Sequence, residues 1–170
     1  MVKNEILERQ KEVSKVPILE RIEKIRESLQ AAGDEAQELR HLPAWAAKQM
    51  GDQGLWRYAL PTELGGENLT ARQQIEVIEA TSAIDGSVGW CTQISSEINA
   101  LIIRRMEPGL AEKIFNDWDT LVCSGHGPPN GPNPGRNAER DGDGWRLNYQ
   151  GSFASGCHNA NWNFLMGNMT

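Results

Sequence analysis

The sequence predicts an α+β protein, with an all-helical segment over residues 1–118 followed by a β segment over residues 119–170. Apolar residues of the first segment recur every three or four positions, which is the spacing of one face of an α-helix. After Trp118 the helix-forming residues give way to Gly, Pro, Asn and aromatic residues. Apolar and polar residues then alternate from Trp145 to Tyr149, the period of a half-buried strand. A domain boundary is therefore predicted near Trp118.

The composition excludes several classes of partner. The chain has 17 Lys and Arg against 23 Asp and Glu, a formal net charge of −6 at pH 7. Proteins that bind nucleic acid carry a basic stripe, so this balance argues against a nucleic-acid partner. The longest apolar run, residues 98–103, is too short to span a bilayer, and no apolar signal region begins the chain. A cytoplasmic protein without a membrane partner is expected, and its three cysteines are expected to be reduced thiols.

The first part of the helical segment carries one apolar stripe. We expect residues 1–15 to be a frayed leader, with Pro17 in the first turn of the helix that follows it. The stripe consists of Ile18, Ile22, Ile25 and Leu29. Packing of this stripe on its own domain is favoured over a partner interface. Gly33 weakens the helix and is expected to mark a kink or a break.

The later helices are marked by their first residues. Thr70 and Gln73 have the spacing of a capping box, which predicts a helix that begins at this point. Asp85 or Ser87 opens the next helix, and residues 108–115 form a further short one.

Small residues interrupt the β segment after a predicted hairpin. The sequence D-G-D-G at residues 141–144 is a turn that joins two strands. Gly151, Ala154, Ser155 and Gly156 follow, and small residues within a strand mark a bulge or the close approach of a ligand.

Three segments are similar to one known family. In chain order they are L-P-T-E-L-G-G (60–66), A-I-D-G-S-V-G-W (83–90) and G-S-F-A-S-G-C (151–157) followed by A-N-W. They resemble the acyl-CoA dehydrogenase superfamily, and most of all the oxygenase components of two-component flavin-dependent monooxygenases, in which the third segment is a flavin-contacting strand. The chain departs from the residues common in that branch at Tyr149, Asn159 and Asn161.

The resemblance implies a fold and an activity. The fold is an N-terminal helical domain followed by the first strands of an incomplete β-barrel middle domain. The chain is therefore expected to be a fragment of a homotetrameric enzyme and to be inactive by itself. The enzyme would receive reduced FMN or FAD from a separate flavin reductase and use O2 to hydroxylate a small, aromatic substrate. Two alternatives remain open: an FAD-dependent acyl-CoA dehydrogenase, and a catalytically silent truncated helical domain.

The resemblance also implies site residues. The implied flavin-binding residues are Ser124, Gly125, Phe153, Ser155 and Gly156. Ser155 is the implied catalytic residue, because its hydroxyl would lie beside the flavin atom N5. From the residues alone, the favoured interpretation is that Ser155 and Gly156 belong to a bulged strand. Trp90 and His126 are implied on the substrate side. The alternatives are a core position for Trp90 and a solvated loop side chain for His126.

Metal binding is not expected. Cys123, His126, Cys157 and His158 are residue types that zinc uses, but they are spaced C-x-x-H and C-H. Adjacent residues on a strand point to opposite faces, so Cys157 and His158 would rarely share one metal ion.

Overall fold

The computed structural model describes residues 3–125, 136–149, 153–165 and 168–169. The helices in these ranges are α1 (Lys3–Val13), α2 (Ile18–Lys24), α3 (Arg26–Leu39), α4 (Ala44–Asp52), α5 (Ala71–Ser82), α6 (Gly86–Ile103) and α7 (Pro108–Phe115), with a short 3-10 turn at Thr62–Leu64. The strands are β1 (Val122–Gly125), β2 (Arg136–Asp141), β3 (Gly144–Tyr149), β4 (Trp162–Leu165) and β5 (Asn168–Met169). The predicted order of helices followed by short strands is confirmed. None of the described helices is both long and apolar enough to cross a lipid bilayer.

The start of the chain differs from the prediction. Residues 3–13 form helix α1 rather than a frayed leader, because Ile6 is buried against the turn at Gly65. The apolar stripe on α2 and α3 packs within the same domain as expected, since all four of its residues are buried in one core cluster.

The break between α2 and α3 lies at Ile25 and not at Gly33. Helix α3 runs through Gly33 without interruption. A Cβ atom on Gly33 would lie 2.4 Å from Cγ of Asp85, so the glycine allows α3 to pack against the start of α6. Gly33 therefore permits a close approach between two helices and does not produce a kink.

The caps of α5 and α6 are those that the sequence predicts. Thr70 and Gln73 form the complete capping box. The Asp85 carboxylate accepts hydrogen bonds from the backbone amides of Ser87 at 2.8 Å and Val88 at 3.1 Å. These bonds satisfy amides that have no partner within the helix, and so fix where α6 begins.

Gly89 tests the packing of α6 on α5. We expect Gly89→Ala to lower the free energy of unfolding by about 1–2 kcal/mol, because overpacking costs about 1–3 kcal/mol while alanine recovers up to about 1 kcal/mol of helix propensity. The added Cβ would lie 2.6 Å from Cα of Ser82, a backbone atom that cannot rotate away. Gly86→Ala is the matched control in the same helix, since its Cβ meets nothing within 4 Å. Urea denaturation of both variants measures the difference, and equal stabilities would contradict the packing argument.

The β segment forms two small sheets among the described strands. β1 pairs in parallel with β4, while β2 pairs antiparallel with β3 and in parallel with β5. The predicted hairpin between β2 and β3 is confirmed, but Trp145 and Leu147 are 49% and 44% exposed, so its alternating face is not covered by the described residues. The boundary predicted near Trp118 stays a prediction; the ring of Trp118 is fully buried and its Nε1 donates to the carbonyl of Gly51 at 2.9 Å.

One side chain adds hydrogen bonds at the point where the pairing of β1 with β4 begins. Asn161 accepts a hydrogen bond at Oδ1 from the Leu121 amide at 3.0 Å, and its Nδ2 donates to the Asp119 carbonyl at 3.2 Å. This double contact places the turn before β4 beside the start of β1. The turn of residues 153–159 precedes this contact in the chain.

Candidate functional site

A cavity of about 650 Å³ lies between the helices and the turn of residues 153–159. Its walls come from the end of α3 with the loop after it, from the first residues of α6, and from the turn itself. The volume is within the range of small-molecule sites, about 300–1,000 Å³. Four residues that the sequence implicated separately line this one cavity: Trp90, Phe153, Ser155 and Gly156.

The segment that carries Phe153 and Ser155 is a turn and not a strand. The expectation of a flavin-contacting strand is therefore wrong for the described part of the motif, residues 153–157; Gly151 and Ser152 lie outside the described residues. Phe153 and Gly156 have φ angles of 59° and 80°, in the left-handed region, which an extended strand does not use. The Gly156 carbonyl accepts bonds from the amides of Asn159 and Ala160 at 3.0 and 3.1 Å, which closes the turn.

One hydrogen bond joins the turn to α6. Nε1 of Trp90 donates to Oγ of Ser155 at 2.9 Å. Because the indole N–H can only donate, the serine oxygen is the acceptor and its own proton remains available for another group. Trp90 is 53% exposed, which excludes the core position that the sequence left open for it. Its place on the substrate side stays a prediction.

A second set of contacts joins the turn to the end of α3. The Leu42 carbonyl accepts hydrogen bonds from Nδ1 of His41 and from Nδ2 of Asn159, both at 2.9 Å. The rings of His41 and His158 are stacked, with centroids 4.4 Å apart and an angle of 15° between the planes. We call these contacts the histidine clasp.

No local pattern of residues indicates the histidine clasp. His41 and His158 are separated by 117 residues along the chain, and no periodic spacing connects them. His41 and Arg40 follow directly after α3, and both line the cavity. Only the docking of the turn on α3 shows that they share one site.

The cysteines are free thiols. Cys91 and Cys157 line the cavity, and burial raises the pKa of the Cys91 thiol to about 11, so it stays protonated at neutral pH. Sγ of Cys157 lies 3.8 Å from Nδ1 of His158. Within the described ranges, no three His, Cys, Asp or Glu side chains are grouped as a metal site would require.

Two further predicted residues, Ser124 and Gly125, do not line the cavity. Ser124 is buried in β1, opposite Phe164 in the register with β4, and Gly125 follows it opposite Leu165. His126 and the rest of the Pro- and Gly-rich loop, residues 126–135, lie outside the described residues. A role for Ser124, Gly125 and His126 stays a prediction.

Comparison with known proteins gives a consistent family match. The family model described as the N-terminal domain of acyl-CoA dehydrogenase matches residues 20–109, just over half of the chain. The oxygenase component of an FADH(2)-dependent resorcinol hydroxylase from Rhizobium sp. is 25% identical over 147 residues, which cover 86% of this chain and 34% of that protein. Indole-3-acetate monooxygenase from Acinetobacter baumannii is 33% identical over 107 residues, which cover 63% of this chain and 26% of that protein.

A solved structure extends the likeness to the fold. XiaF from Streptomyces sp., in complex with FADH2 and glycerol, matches with a TM-score of 0.79 at 18% identity, over 96% of this chain and 39% of that one. The chain thus spans between about a quarter and about a third of the length of the two curated relatives.

Proposed function

We propose that this chain, which belongs to the acyl-CoA dehydrogenase N-terminal domain family, forms part of the oxygenase component of a two-component flavin-dependent monooxygenase. Two curated relatives are an FADH(2)-dependent hydroxylase and a monooxygenase, and their names refer to the aromatic compounds resorcinol and indole-3-acetate. The observation that carries the proposal is the Trp90–Ser155 hydrogen bond, which presents a serine hydroxyl to the cavity beside an exposed aromatic ring.

The cavity residues fit a flavin. A flavin needs apolar contact along its ring face and hydrogen-bond donors at its ring nitrogens and carbonyls. Phe153 is 78% exposed and borders the cavity, so its ring is available for the first. The hydroxyl of Ser155 is available as a donor. Reduced FAD is the proposed form, supplied by a separate reductase, and it brings the electrons that activate dioxygen.

The protein's own groups would position the reactants and exclude water. Trp90 fixes Ser155 from the side of α6, and the histidine clasp fixes the same turn from the side of α3. The turn is therefore held at both ends, which keeps the serine hydroxyl in one place. Such preorganised donors cost no rearrangement at the moment of reaction.

The dehydrogenase alternative differs from the proposal in its reaction. Acyl-CoA dehydrogenation begins with removal of a proton by a base and needs no dioxygen. Oxygen transfer to an aromatic substrate therefore separates the two. The third alternative, a catalytically silent domain, predicts no flavin-dependent oxygen uptake and is separated by the same experiment.

The test is oxygen transfer from labelled dioxygen. The purified full-length protein that contains this chain is given NADH, FAD, a flavin reductase, 18O2 and either resorcinol or indole-3-acetate, and the products are analysed by mass spectrometry. We expect one 18O atom in the product, with the other reduced to water, and no product when the reductase is present alone. Formation of hydrogen peroxide only, or reduction of an artificial acceptor by an acyl-CoA, would contradict the proposal. A homotetrameric assembly is a further part of it, measurable by light scattering.

A further inference from the structure

We infer that Arg40, with the histidine pair beside it, forms an anion-binding subsite, so that the cavity takes an aromatic substrate bearing a carboxylate. This inference deepens the proposed function and rests on it for the placement of the aromatic ring.

The charge of the cavity is opposite to that of the chain. The chain has six more acidic than basic residues. The cavity lining nevertheless contains the cationic side chain of Arg40 and two of the chain's three histidines, and none of its described residues is acidic. A concave surface lined by one sign of charge attracts ligands of the other sign.

The guanidinium of Arg40 is not used within the described part of the chain. Five of the described arginines are paired with carboxylates, among them Arg9 with Asp52 and Arg21 with Glu67. Arg40 has no ion pair with any described residue. An arginine presents a rigid fork of donors that matches the two oxygens of a carboxylate.

The backbone at Arg40 is unusual for an arginine. Its φ angle is 63°, and its amide donates to the carbonyl of Ala36 at 2.8 Å, so it ends α3 in the left-handed conformation. Glycine fills such positions without strain, whereas a side chain with a Cβ does not. The alternative role for Arg40 is purely structural, because a cation at a helix C-terminus interacts favourably with the helix dipole. The two roles predict different results for ligand binding.

The site offers a ring position and an anion position within one cavity. Trp90 provides aromatic surface on the side of α6, and Arg40 provides positive charge and hydrogen-bond donors at the end of α3. His41 donates from Nδ1 to the Leu42 carbonyl, so the donors for a carboxylate come from the guanidinium of Arg40. A planar ring with one carboxylate has the shape and charge that this arrangement selects.

The first test compares a charged ligand with its neutral isostere. Benzoate and benzamide are titrated separately into the protein, and binding is followed by the NMR signals of the histidine rings. We expect benzoate to bind at least tenfold more tightly than benzamide, and Arg40→Gln to remove that preference. Arg72→Gln on α5, whose side chain is 90% exposed, is the matched control and should keep it. Equal affinities for the two ligands, or a preference that survives Arg40→Gln, would overturn the inference.

The second test identifies the source of the anion. FMN and riboflavin differ only in the phosphate, and we expect Arg40→Gln to change their affinities equally, because the subsite is assigned to the substrate. If Arg40→Gln lowered the affinity for FMN but not for riboflavin, that assignment would be overturned. Inorganic phosphate alone should bind more weakly than benzoate, and tighter binding of phosphate would overturn the requirement for a ring.

These outcomes are independent of the oxygenase experiment. Both titrations are equilibrium measurements without reductase or dioxygen, so failed oxygen transfer does not affect them. If Arg40→Gln unfolds the protein, Arg40→Lys gives the decisive measurement: it keeps the charge at the end of α3 but not the bidentate fork. A dipole role alone predicts an unchanged benzoate preference in Arg40→Lys, while the subsite predicts a partial loss.

Discussion

Arg57→Met is expected to lower the free energy of unfolding by about 4 kcal/mol or more, beyond the usual effect of a single substitution. The side chain of Arg57 is 1% exposed. Its guanidinium donates to four backbone carbonyls, those of Leu64, Gly65 at 3.0 Å, Phe115 at 3.0 Å and Asp117 at 3.1 Å. One buried cation thus connects the turn after the 3-10 helix with the end of α7.

The expected loss follows from the groups that methionine leaves behind. A hydrogen bond to a charged group contributes about 1.5–3 kcal/mol, and a buried acceptor left without a partner costs about 1–3 kcal/mol. Burial lowers the pKa of Arg57 to about 10, which still leaves it charged at neutral pH. The free energy lost with these four hydrogen bonds is therefore larger than the desolvation cost that is avoided when the buried charge is removed.

Chemical denaturation followed by circular dichroism measures this effect. Arg72→Met is the control, because Arg72 is exposed and its ion pair is with Glu76 on the same helix; such pairs contribute about 0.3–0.5 kcal/mol. Arg57→Lys should be intermediate, since an ammonium group cannot reach all four carbonyls. If Arg57→Met and Arg72→Met were equally stable, the carbonyls around Arg57 would have to be satisfied in some other way.

Local sequence signals correctly predicted where helices begin. The predictions that failed concerned residues whose role depends on contacts with distant segments of the chain. The capping residues Thr70 and Asp85 act on amides two or three positions away, so the sequence alone located the helices that they begin. Gly33 was misjudged because its partner, Asp85, is 52 residues away. Helix propensity predicts that a glycine weakens the helix at its position. At Gly33 the glycine is instead required because another helix approaches too closely for a side chain.

The same distinction applies to the site. Trp90, Phe153, Ser155 and Gly156 were implicated through the resemblance, and they do meet at one cavity. The turn geometry was missed, because left-handed φ angles at Phe153 and Gly156 leave no trace in a pattern of small residues. The family's motifs do not include Arg40 or His41, which enter the site only through the packing of the turn on α3.

Ser155→Ala is expected to reduce the yield of hydroxylated product per dioxygen consumed by roughly tenfold to hundredfold. The variant removes the hydroxyl that Trp90 holds toward the cavity and changes little else, since the side chain is small and half-buried. A hydrogen bond to a group that carries charge contributes about 1.5–3 kcal/mol, and each 1.36 kcal/mol is a factor of about ten in rate. This prediction rests on the proposed function and concerns coupling rather than flavin binding.

Two further variants separate the serine's chemistry from its position. Ser87→Ala alters another serine at the same cavity and should leave the coupling unchanged, because no hydrogen bond joins the Ser87 side chain to Trp90. Trp90→Phe keeps an aromatic ring and the Ser155 hydroxyl but removes the N–H that orients it, so we expect a smaller loss, about threefold to tenfold. Oxygen uptake and product are measured together with reductase, NADH and FAD. Equal coupling in Ser155→Ala and Ser87→Ala would remove Ser155 from the reaction, whereas an unchanged Trp90→Phe would mean that the turn alone positions the hydroxyl.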